Sequence, residues 1–298
     1  MRDERQSSGL NSRGAVLRIA DITIGLISDD PELSLSIDGA MSRFLVDEID
    51  PHVNVSVVWG DLDRKWGGER LFDGGEWQLY AEGDSYYFHF TSPEFEPLPY
   101  RVVSFHRDCT SGKVYLYRPY FPVRCPVYRF GRPLDEMLMV HLLANGRGVD
   151  LHACGVVDAD GRGHLFLGQS GAGKSTMARL WHRQGTVLSD DRIILREVDK
   201  QLWMYGTPWH GEAGFASPVR APLTKLVFLC QGRRNELMPL GGVEAAARLF
   251  ACSFPPFYSR EGLDFTLEFL EQAVRSVPCY ELRFVPDESV VDFLLRSD

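Results

Sequence analysis

The segment Gly168-Gln169-Ser170-Gly171-Ala172-Gly173-Lys174-Ser175 constrains the fold of this chain more than any other. It fits G-x-x-x-x-G-K-[ST] at every fixed position and lies between the apolar run HLFLG and the helix-forming TMARLW. That context demands a strand, a glycine turn and a helix. Glycines let backbone N–H groups converge on phosphate oxygens, and the helix adds its positive N-terminus. In such a loop the lysine, here Lys174, reaches the β- and γ-phosphates and the serine hydroxyl, here Ser175, holds magnesium. These eight residues, with Thr176 after them, are the expected nucleotide-binding set, with ATP and magnesium as cofactors. A serine-nucleophile elbow does not fit, because Ser170 is followed by Gly171 and Ala172 where G-x-S-x-G needs glycine in second place.

A chain of 298 residues exceeds what one hydrophobic core usually supports, so two domains are expected, with a boundary near residue 130. The expected division is 1–130, a β-rich module, and 131–298, the phosphate-loop domain. With 44% hydrophobic and 24% charged residues the chain is that of an ordinary folded protein. Its net charge of -9 repels phosphate backbones, which argues against nucleic acid or an anionic membrane as partner. No run approaches the roughly 20 apolar residues that span a bilayer, and the polar start 1–14 reads as a frayed terminus with no signal peptide, so the cytoplasm is the default location. Cys109, Cys125, Cys154, Cys230, Cys252 and Cys279 show no paired spacing and read as reduced thiols; the run HRDC reads as a turn.

In the first domain, WQLYA and SYYFHF flank Glu82-Gly83-Asp84 and predict a hairpin, and RVVSFH and KVYLYR extend it as an antiparallel sheet. A helix is expected over 39–46, and the alternating Tyr86, Phe88 and Phe90 as core. The proline-containing stretch 121–133 is the expected junction. Beyond it the spacing predicts a helix over 134–143 stopped by Gly146 and Gly148, strands over 150–157 and 164–167, the loop, and a helix over 174–182. RIILREV and QLWMY, split only by Asp199-Lys200, predict a tight hairpin, so the sheet should be mixed. Strand TKLVFLC, helices over 243–250 and 263–276, strand YELRFV and a helix opened by Asp287 complete the pattern.

Phosphoryl transfer needs a carboxylate near the metal and often one to take the hydroxyl proton. Asp190 and Asp191 follow a short strand that comes directly after the loop helix, which predicts that they lie beside the loop strand, with their individual roles open. His152 lies on the strand before the loop strand, where it could face the γ-phosphate or the base. Gly206-Thr207-Pro208-Trp209-His210-Gly211-Glu212 could cover the site, bringing His210 and Glu212, or could pack Trp209 into the core. Arg220 is a candidate for bidentate phosphate contact.

The second half resembles the HPr kinase/phosphorylase family and its relatives of the phosphoenolpyruvate-carboxykinase-like group. The residues that carry the resemblance are LHACGVV, LGQSGAGKST and LSDD, in that order. It implies a mixed-sheet α/β phosphate-loop kinase fold over 131–298 and an active centre of His152, Lys174, Ser175, Asp190 and Asp191. Thr176 stands where HPr kinases usually carry glutamate, and YGTPWHGE replaces their phosphorylase-associated signature. The chain is thus more similar to the HPr-kinase-related proteins found beside peptide-modification and other biosynthetic genes, some of which phosphorylate serine in a peptide or free serine. The resulting expectation is an ATP-dependent kinase acting on the serine-type hydroxyl of a protein, a peptide or free serine. A non-catalytic ATP-binding sensor is the rival, and a carboxykinase for a small metabolite a third reading with only Arg220 behind it. A homo-oligomer is compatible with the sequence, as is a leader-type peptide bound along an edge of the first domain.

Overall fold

The computed structural model describes residues 14–28, 30–33, 35–62, 66–94, 96–121 and 133–297. The expected frayed start, most of the junction 121–133, Cys125 and the boundary near residue 130 lie outside them. The chain is mixed α/β and divides into two compact units, Met1–Leu138 and Met139–Asp298.

Among the described residues the first unit forms a nine-stranded sheet: β1 (Gly14–Ile19), β2 (Ile22–Ile27), β3 (Leu45–Val46), β4 (Val53–Gly60), β5 (Glu69–Asp73), β6 (Trp77–Glu82), β7 (Ser85–Phe90), β8 (Arg101–His106) and β9 (Ser111–Tyr117). Their spatial order is β3-β1-β2-β4-β9-β8-β7-β6-β5. The predicted hairpin is β6–β7, turning at Gly83-Asp84. The sheet is not purely antiparallel as expected, because β4 inserts between β2 and β9 and runs parallel to both. The connection from Ile27 to Val53 is long enough to return the chain to the same sheet end, which a parallel pairing requires. The helix expected over 39–46 is a 3-10 turn, Gly39–Phe44, and its last two positions belong to β3.

Phe88 and Phe90 are buried as the alternation demands, whereas Tyr86 is only half-buried. β8 is buried on both faces, because Leu62 and Trp66 pack with Val102 against Tyr87 and Tyr115 on its other side. His89 lies on this second face, 4.5 Å from the Tyr80 ring, and its buried Nε2 has no hydrogen-bond partner among the described residues. Burial lowers its pKa from 6.5 to about 4. Between those pH values the unfolded chain takes up a proton that the folded state refuses, so stability falls as pH falls through this window. His89→Phe should flatten that dependence, as urea titrations at pH 7, 5.5 and 4 would read out; an unchanged slope would refute it.

The second unit starts in α1 (Leu134–Ala144), inside which the two units divide. Gly146 and Gly148, both at positive φ, stop this helix, and the Gly148 N–H donates to the Leu143 carbonyl. Then follow β10 (Val149–Val157), β11 (Gly163–Leu167), α2 (Lys174–Trp181), β12 (Thr186–Ser189), β13 (Arg192–Val198), β14 (Gln201–Gly206), β15 (Arg220–Gln231), β16 (Glu236–Pro239), α3 (Gly242–Ala251), α4 (Arg260–Ser276), β17 (Cys279–Phe284) and α5 (Ser289–Arg296). Asp199 and Lys200 both take positive φ in the β13–β14 turn, the geometry that matches strand twist in a two-residue hairpin.

β10 and β15 are long and each pairs with three neighbours. The first half of β10 pairs with β13 and its second half with β11, while β15 pairs first with β14 and then with β11. These pairings close a ring of five strands. Alternation along β15 divides the core: Leu226 and Phe228 face a cluster completed by Leu249, Leu270 and Ala273 of α3 and α4. Val227 and Leu229 face Met177, Trp181, Val290 and Leu294 of α2 and α5. Helices therefore cover both faces of the parallel part, β11-β15-β17, and the carboxyl ends of those strands gather at one edge.

Candidate functional site

The segment Gly168–Ser175 begins at the carboxyl end of β11 and runs directly into α2. Gly173 caps α2 with φ +106, a conformation that strongly favours glycine, and a Cβ there would come within 2.7 Å of the Phe284 ring. The close approach is to β17, beneath the loop. Lys174, the first residue of α2, is buried and donates from Nζ to the carbonyls of Gly168 (2.7 Å) and Gln169 (3.2 Å). Burial lowers its pKa.

Asp190 and Asp191 do not lie directly beside the loop strand. β12 pairs with β10, not with β11, so one strand intervenes. Because β10 is antiparallel to both neighbours, its first half lies at the same end as the carboxyl ends of β11 and β12. That single reversal brings His152, the loop and the two aspartates together. His152 Nε2 lies 3.2 Å from Asp191 Oδ1, and the Ser175 hydroxyl donates to Asp190 Oδ2 at 3.4 Å.

The two adjacent carboxylates have different surroundings. Asp190 is buried and accepts three backbone N–H bonds: Gly211 (3.1 Å) and Phe215 (3.2 Å) on Oδ1, Ala213 (2.9 Å) on Oδ2. With Ser175 this makes four donors on a group that has about four acceptor sites. Asp191 is more exposed and faces the His152 ring and, at 3.1 Å, the guanidinium of Arg192. Arg192 also lies 4.0 Å from Asp150 Oδ2 and 4.0 Å from the centre of the Phe254 ring. Ser189 fixes the turn between the carboxylates, accepting from the N–H groups of Asp191 and Arg192 while donating to the Trp209 carbonyl.

A cleft of about 470 Å³ opens over these groups, lined by His152, Ser170, Gly171, Gly173, Lys174, Ser175, Thr176, Arg179, Asp190, Asp191, Gly211 and Glu212. Glu212 stands exposed at its mouth, whereas His210 and Arg220 do not line it. His210 donates from its exposed ring to the Gly211 carbonyl, and Arg220 donates to the Tyr205 hydroxyl with the Trp203 ring 4.9 Å away. Trp209 is buried, while Gly211 and Glu212 of the same segment line the cleft. Arg192 and Arg179 also border the site, although neither belongs to a motif. Arg192 directly follows the aspartates, and Arg179 lies one helical turn beyond Ser175, a spacing that puts both on one face of α2. Below the site, burial pushes the Cys154 and Cys252 thiols up, so neither is a ready nucleophile.

No protein-family model matches this chain, and no curated protein does. Among solved structures, the Hpr(Ser) kinase/phosphatase from Coxiella burnetii matches over 50% of this chain and 88% of its own, at 13% identity and a TM-score of 0.29. A superposition that loose transfers neither fold nor activity.

Proposed function

We propose that this chain is a magnesium-dependent phosphotransferase that moves the γ-phosphate of ATP to a serine-type hydroxyl. One observation carries the reading: a phosphate-loop lysine and serine share one cleft with an Asp191–His152 pair. The loop amides, the N-terminus of α2 and Lys174 hold the triphosphate. Ser175 is the hard oxygen that fits magnesium, and its hydroxyl donates a hydrogen bond to Asp190, which turns a lone pair of Ser175 outward. Among the described residues no group of three or more His, Cys, Asp or Glu side chains could hold a metal ion. Bound at Ser175, magnesium would spread the developing charge of the phosphoryl group. The acceptor O–H proton passes to the Asp191–His152 pair as its oxygen bonds to the γ-phosphorus. The bond from that phosphorus to the β–γ bridging oxygen breaks, and ADP leaves.

γ-Labelled ATP incubated with the full chain, magnesium, and free serine or serine-containing peptides should label an acceptor, and chelating the magnesium should abolish it. ATP binding without transfer to any acceptor would count against the kinase and favour the sensor.

A further inference from the structure

A second hollow, of about 450 Å³, flanks the same loop. It shares Ser170 and Gly171 with the cleft just described, so one molecule seated on the loop reaches both. The two hollows lie on opposite flanks of β11: the cleft toward β10 and β12, this one over the carboxyl end of β15. Their chemistry differs sharply. The cleft presents Asp190, Asp191, Glu212 and His152. The second hollow has no carboxylate among its lining residues, and Ala172, Phe228, Leu229, Ala251 and Cys252 supply apolar wall.

We propose that this second hollow receives the nucleoside end of the triphosphate, leaving the Asp191–His152 cleft to the hydroxyl-bearing acceptor. The inference rests on the nucleotide reading above. A nucleobase is a flat, weakly polar ring that gains by leaving water for apolar wall, and small-molecule pockets of this size combine such wall with few polar groups. Gln231 and Arg248 are the polar side chains at hand on the β15 side. Gln231 donates to the Gly171 carbonyl, which ties the hollow to the loop. Arg248 is neutralised by Glu281 (2.8 Å) and Glu244 (2.5 Å), so the hollow does not compete with the loop for phosphate. The position also agrees with the rule that ligands of α/β sheets sit beyond the carboxyl ends of parallel strands, here β11 and β15.

Ala251 allows a clean test, because it is exposed at the end of α3 and its side chain can grow without disturbing a core. Affinities for ATP and for inorganic tripolyphosphate would be measured on the full chain with magnesium, for wild type, Ala251→Leu and Ala251→Trp, with thermal melts to verify folding. Filling the hollow should weaken ATP about 10-fold or more for the tryptophan variant and less for leucine, while tripolyphosphate stays within about 2-fold. ATP affinity unchanged in both variants, or an equal loss for both ligands, overturns the inference. Wild type binding tripolyphosphate but not ATP overturns it while sparing the phosphate loop, and wild type binding neither sinks the nucleotide reading itself.

Discussion

Lys174→Ala is expected to lower phosphoryl transfer about 10³-fold, the scale on which losing a preorganised charge at a transferring group acts. Lys174 is buried at the base of the loop, and burial, which lowers its pKa, strips the ammonium of much of its hydration. Its Nζ is held by two carbonyls of the loop itself, at 2.7 and 3.2 Å. A charge in that setting acts at close range on the phosphates with little solvent screening. Arginine is no substitute, since its planar fork needs room that a buried ammonium does not. The variant should keep its fold, because the residue starts a helix and alanine is a good helix former. Single-turnover transfer beside a thermal melt decides the matter: a folded Lys174→Ala protein transferring at the wild-type rate would remove this loop from the chemistry.

The adjacent aspartates should separate cleanly on substitution. Asp190→Ala strands the N–H groups of Gly211, Ala213 and Phe215 around a buried site, and should cost about 3–5 kcal/mol of unfolding free energy. Asp190→Asn helps little, because its amide turns an NH₂ group toward N–H donors. Asp191→Ala should cost about 1 kcal/mol or less, since Arg192 keeps Asp150 and the Phe254 ring as neighbours. Its effect should fall on transfer instead, about 10²–10⁴-fold, as for a lost proton acceptor. Urea titrations and single-turnover rates on both variants test the division. Equal stabilities for the two would show that the amide clamp on Asp190 does not hold the 211–215 segment.

Parts of this arrangement are legible in the sequence because their causes are local. The loop shows in its glycines, the β13–β14 turn in Asp199-Lys200 between apolar runs, and the end of α1 in Gly146 and Gly148. What escapes has distant or silent causes. Backbone amides carry no residue identity, so nothing in GEAGF announces a clamp for a carboxylate more than twenty residues upstream. The insertion of β4 between β2 and β9 depends on strands far apart in sequence. β16, four residues ending in proline, is too short to show a period. Arg220 had the right chemistry for phosphate, but strand register leaves it on Tyr205.

The approach of Gly173 to Phe284 bears on the order in which a ribosome delivers this site. His152, the loop and both aspartates emerge close together and can pair through β10, β11 and β12 while the chain is still growing. The ring that underlies Gly173 emerges much later, on β17. A nascent chain that has passed α4 thus carries every polar group of the cleft on a loop without its floor. β17 completes the site from beneath, and until it arrives a half-made chain has the cleft's residues without the support that shapes them.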